Sequence, residues 1–169
     1  MQPNITKSAL YNFHFVGLLL SVKFILLAQK YDFLASVAFF VSVLIIFVLY
    51  RMSVHFRDNE CGGTIKFGQA FGYIFLVYLF GSIVSSVVIF IYTSFINTHY
   101  LNSTLDVLMK LYDSYKFSVD NNTYSVLQTI YKPGPFAVVN VFSSAFLGAF
   151  WGLILGVLVK RDKDTLSQQ

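Results

Sequence analysis

Phe33–Tyr50, FLASVAFFVSVLIIFVLY, is an 18-residue run without a single charge. As a helix it rises about 27 Å, close to the ~30 Å hydrocarbon thickness of a bilayer. Its β-branched and aromatic side chains would favour a strand in water. In lipid no water is at hand for the amides, so an isolated segment bonds to itself and is helical. Phe67–Ile96 and Pro135–Val159 are likewise uncharged, and Ala9–Gln29 is apolar apart from Lys23 and a few polar residues. The expected fold is therefore all-α: an integral membrane four-helix bundle in one domain, residues 1–169, with spans near 9–29, 33–50, 70–94 and 135–159. The third run exceeds one perpendicular crossing, so Phe67–Phe71 is expected at the interface, with tilt absorbing the remainder.

Charge placement gives the orientation. Only 12 % of the residues are charged, about half the usual share of a soluble domain. The net charge of +4 comes largely from residues at the ends of apolar runs, among them Arg51, Arg57, Lys66, Lys160, Arg161 and Lys163. That placement is the positive-inside pattern and needs no nucleic-acid partner. Lys7, the 51–66 loop and the tail put seven Lys or Arg on one side, against Lys30, Lys110, Lys116 and Lys132 on the other. Both termini and the 51–66 loop are thus expected in the cytoplasm, with segment 97–134 outside. The first run has the look of a signal peptide, but no A-x-A-like site follows it, so it is expected to remain as a span. Cys61 is the only cysteine and excludes an intrachain disulfide.

Segment 97–134 is expected to hold amphipathic helical pieces that lie on the membrane or cap the bundle. Leu101, Leu105, Leu108 and Tyr112 recur at helical spacing, while Asp106, Lys110 and Asp113 fall on other faces. Ser103 and Asp106 resemble a capping box. A second piece runs through Tyr124, Leu127, Ile130 and Tyr131. Pro133-Gly134-Pro135 then reads as a break, with Pro135 opening the last span.

The run Arg57-Asp58-Asn59-Glu60, followed by Gly62-Gly63-Thr64-Ile65-Lys66-Phe67-Gly68-Gln69-Ala70-Phe71, carries a resemblance. It is similar to the signature of a bacterial, Bacteroidetes-type family of small four-span membrane proteins known only as a domain of unknown function. The resemblance extends over nearly the whole chain in span order and spacing. It implies the four-span fold and a bacterial inner-membrane location, and it brings no catalytic residue. The glycines of the fourth span are not part of that signature.

Those glycines form the strongest local pattern. Ser144, Gly148, Gly152 and Gly156 stand four residues apart, and Asn140 continues the ridge. Small residues at this spacing let helix backbones approach closely. The ridge serves either packing within the chain or a homo-oligomer or partner interface. Lys23 lies inside the first span, where it either snorkels to the surface or meets an anion or substrate. His14, nine residues earlier, falls on the opposite side of the same helix and reads as a packing residue.

The Gly62-Gly63 turn beside Arg57 and Lys66 reads as a solvated turn, or as a contact for a lipid headgroup or anion. His55, Asp58, Glu60 and Cys61 match no zinc spacing, so neither a metal nor another cofactor is expected. No Asp or Glu lies within a span and no Pro-broken helix pair occurs, which argues against a stand-alone transporter. His14, His55 and His99 fall at unrelated depths, which argues against an enzyme. The expected function is a non-enzymatic module contacting itself, the lipid bilayer or another membrane protein. The alternative is a small channel or transporter subunit, a homo-oligomer around span four lined by Asn140, Ser143 and Ser144. An intramembrane enzyme, third, would need His14, Lys23 and a polar loop to converge on a cavity.

Overall fold

The computed structural model describes residues 4–29, 31–115 and 120–161. Its helices are α1 (Ile5–Ala28), α2 (Asp32–Asn59), α3 (Phe67–Ile91), α4 (Tyr100–Ser114), α5 (Asn121–Ile130) and α6 (Pro133–Val159). A π-helical turn, Tyr92–Ile96, continues α3. Four of these helices are long and apolar enough to cross a membrane: α1, α2, α3 with its π turn, and α6. This is the pattern of a multi-pass membrane protein. Lys30, Lys116 and Lys163, which entered the charge count, lie outside the described residues, as does the tail beyond Arg161.

Each boundary has a local cause. The Asn4 side chain accepts from the Lys7 amide at 3.1 Å and caps α1. α2 does not stop at Tyr50 but runs nine residues further, so the expected 51–66 loop contracts to Glu60–Lys66. Hydropathy falls there, but Leu49, Ser53 and Phe56 keep one buried stripe going beyond the apolar run. The helix ends where Gly62 and Gly63 take positive φ, +66° and +81°, and the Gly63 amide bonds the Arg57 carbonyl at 3.0 Å. Glycine adopts that backbone without a Cβ clash.

α3 begins directly at Phe67, with the Lys66 amide bonded to Gln69 Oε1 at 3.2 Å. Phe67–Phe71 is therefore the start of α3 itself, continuous with the rest of the helix. α6 opens at Pro133, two residues before the expected start. First-turn amides have no partner in the helix, so Pro133 and Pro135 both fit there. Likewise α4 starts at Tyr100, which puts Ser103 inside the helix, where its hydroxyl bonds the Tyr100 carbonyl at 2.9 Å. The expected Ser103–Asp106 capping box does not form, because the chain already turns at Asn97–His99.

α3 is the hub. It is packed along most of its length between α1 and α6, which barely meet each other. α2 lies mainly on α1 and reaches α3 and α6 at the end that carries the chain termini. At that end Ile65 and Arg161 exchange two backbone bonds, of 3.0 and 3.1 Å, tying the turn after α2 to the end of α6. At the far end α4 buries Leu101 and Leu105 and leaves Val107 and Leu111 exposed.

Candidate functional site: a donor-lined cleft between α1 and α6

The glycine ridge of α6 turns towards α3. A Cβ on Gly148 would lie 2.9 Å from Tyr78 Cβ, and one on Gly152 would lie 3.0 Å from the Phe71 ring. A Cβ on Gly156 would meet the Phe67 ring at 3.2 Å. Three aromatic side chains of α3 thus take the space the glycines leave. Gly148, Gly152 and Gly156 pack against α3. Sequence inspection missed a second close approach, where Gly17 of α1 and Gly81 of α3 meet backbone to backbone. Its available signal was Gly17 with Ser21 and Gly81 with Ser85, small residues four apart in each helix.

Because α1 and α6 both lean on α3 without closing on each other, a gap remains between them in the far half of the bundle. This cleft has a volume of about 190 Å³ and is half open. Lys23 of α1, Tyr78 and Ser85 of α3, and Asn140, Ser143 and Ser144 of α6 supply its polar wall. Leu27 and Leu147, 48 % and 46 % exposed, stand at its mouth. No residue of α2 lines it.

The polar groups of this wall differ from most serines elsewhere in the bundle. Ser21, Ser42, Ser53 and Ser82 each donate to a carbonyl three or four residues back in their own helix. Ser85, Ser143, Ser144 and Tyr78 make no such bond among the described residues. Ser85 and Ser144 are only 3 % and 8 % exposed. Yet among the described residues no buried side-chain polar atom is left without a partner, so these two unbonded hydroxyls are accessible from the cleft that the residues line. Asn140 accepts from Ser86 Oγ at 3.2 Å through its oxygen, which leaves its two amide hydrogens to donate. Tyr78 and Ser85 were not singled out from the sequence. Nothing in a linear reading separates a serine bonded to its own helix from one that is not.

Residues 14–161 match the family described as "Protein of unknown function (DUF4199)". The chain belongs to that family. No curated protein and no solved structure matches this DUF4199 chain.

The remaining candidates of the DUF4199 chain lie at the termini end. Arg57 bonds Asp58 at 2.8 Å and the Val159 carbonyl at 3.3 Å, so its guanidinium caps the negative end of α6. The Gly63 amide is taken by the Arg57 carbonyl, while Gly62 and Lys66 are exposed. The four residues therefore form a helix stop and an interhelix tie, with Lys66 pointing outward at the edge. The Ser8 hydroxyl donates to the Glu60 carboxylate nearby, and Asn12 donates to the Tyr73 hydroxyl at 3.1 Å. His14 is exposed, 4.2 Å from the Phe15 ring, on the face of α1 away from Lys23. No group of three metal-ligating side chains occurs among the described residues.

Proposed function

We propose that this DUF4199 protein is a non-enzymatic module of the bacterial inner membrane that works by holding an amphiphile in the α1–α6 cleft. The observation that supports this most is the wall itself. Unpaired donors line a cleft in an apolar bundle, from buried Ser85 and Ser144 to exposed Ser143, beside two leucines on the outer surface. A polar head fits the wall and an apolar tail fits the mouth.

The module reading gains over the pore reading from the same geometry. Asn140, Ser143 and Ser144, the candidates for a pore around α6, line a cleft formed within one chain, and the glycines that would seat a second copy are filled by α3. The enzyme reading would need His14 on the cleft, and His14 lies on the other face.

Native mass spectrometry of the protein released from its membranes in mild detergent tests the proposal. The expected result is a monomer carrying lipid-sized adducts that persist through detergent exchange. A ligand-free oligomer would overturn it.

The orientation proposed, with both termini cytoplasmic, rests on the Lys and Arg distribution. Exposed Lys66 then faces the inner headgroups. The lone Cys61 reports it, since it sits half-buried in the turn after α2. Burial and the Glu60 charge push its thiol above the usual range, so thiolate is scarce at neutral pH. Labelling should quicken about tenfold per pH unit until the thiol ionises. In intact spheroplasts at mildly alkaline pH, a membrane-impermeant maleimide is expected to label Cys61 only after permeabilisation. Labelling without permeabilisation would reverse the orientation.

A further inference from the structure

We propose that the α1–α6 cleft is an oxyanion site in which Lys23 binds the singly charged phosphate of a membrane phospholipid. This rests on the amphiphile reading and adds the chemistry of the head.

The unsatisfied polar groups of the wall are all able to donate: the Lys23 ammonium, the Asn140 amide and the hydroxyls of Tyr78, Ser85, Ser143 and Ser144. The wall carries one formal positive charge and no carboxylate. Such a set matches one negative charge spread over several acceptor oxygens. A zwitterionic head would bring its own cation against Lys23 and find no carboxylate there. At ~30 Å³ per water, the space is about that of six waters, which suits a head and not a whole lipid.

Helix geometry works against snorkelling at Lys23. It lies five residues before the end of α1, about 7.5 Å below it. The Cα–Cβ bond of a helical residue leans towards the helix N-terminus, which for α1 is the termini end. The stem therefore sets out away from the nearer surface. Among the described residues Lys23 has no ion pair and no hydrogen bond. A charge at this depth calls for a partner, and the cleft it lines has room for one.

Two routes reach the site. The mouth between Leu27 and Leu147 admits a lipid from the side. Leu27 also borders a second cavity, about 370 Å³, between the end of α1 and α4, lined by Gln29, Tyr100, Ser103 and Thr104. That cavity would admit a free phosphate ion from the aqueous side.

The test is native mass spectrometry of the full chain in detergent with phosphatidylglycerol and phosphatidylcholine of the same acyl chains, supplied in equal amounts. The expected result is about tenfold more phosphatidylglycerol than phosphatidylcholine on the wild type. The preference should vanish in Lys23→Met, survive in Lys23→Arg and survive in Lys110→Met, an exposed lysine of α4 away from the cleft. Lys23→Met removes a charge from the apolar span, so it is expected to melt no lower than the wild type.

A parallel sample with inorganic phosphate and no phospholipid separates the sources. A Lys23-dependent phosphate adduct without lipid preference supports the same site filled from water. Retained lipid with no preference, or a preference unchanged in Lys23→Met, with no such adduct in either case, overturns the oxyanion site and leaves the amphiphile reading standing. If nothing is retained, the amphiphile reading itself falls.

Discussion

Gly81→Leu is expected to prevent α1 and α3 from packing, at a cost of about 3 kcal/mol or more, the upper end of what overpacking does. A Cβ at position 81 would stand 3.0 Å from the Gly17 amide nitrogen and 3.3 Å from the Phe13 carbonyl oxygen. These are backbone atoms, so no rotamer change relieves the clash and the helices must separate. Membrane helices gain little from leaving lipid for one another, and close packing carries the association. Because α3 is the hub, losing this crossing removes the partner of α1 and, through α1, most of the seat of α2. Gly72→Ala is the internal control. Nothing lies within 4 Å of a Cβ there, so replacing a mid-helix glycine is expected to be neutral or stabilising by up to about 1 kcal/mol. Thermal unfolding in detergent, followed by far-ultraviolet circular dichroism, compares the two. Equal melting of both variants would show that the Gly17–Gly81 contact does not hold the bundle together.

What could be read from the sequence follows what lipid imposes locally. An uncharged 18-residue run must be a helix wherever it sits, so the number and order of spans were legible. The α6 ridge was legible because small residues recur every fourth position. Its partner was not, since Phe67, Phe71 and Tyr78 look like any other aromatics of an apolar run. At the Gly17–Gly81 crossing each glycine is followed by only one small residue four positions on, Ser21 and Ser85, a pair too short to stand out as a ridge. Hydropathy marks where lipid ends and not where a helix ends, which is why α2 continues to Asn59 on a stripe of Leu49, Ser53 and Phe56. The cleft lay furthest out of reach. Lys23 and Asn140 are each conspicuous in a span, but their meeting depends on the rotation of three helices. Tyr78 and Ser85 become noticeable only when their hydroxyls are found without partners.

Tyr73→Ala is expected to cost about 3–5 kcal/mol, the range for truncating a buried large aromatic. Its ring is 1 % exposed and stacks on Phe56 of α2, with centroids 4.3 Å apart and planes 2° from parallel. This stack is one of few contacts that tie α2 to α3, because α2 otherwise rests mainly on α1. Tyr73→Phe separates the ring from its hydroxyl. It keeps the stack and removes the Asn12 bond, while Asn12 still donates to the Ser8 carbonyl at 3.1 Å. The expected cost is then only about 1 kcal/mol, an ordinary net hydrogen bond. The larger loss should also be local. With Phe56 unsupported, the last turns of α2 loosen, and with them the Glu60–Ser8 bond and the turn that half-buries Cys61. Maleimide labelling of Cys61 should therefore speed up in Tyr73→Ala and stay near the wild-type rate in Tyr73→Phe. If both variants labelled alike, the stack would not be what holds α2 to the hub, and the Arg57 contact with the end of α6 would have to carry that role.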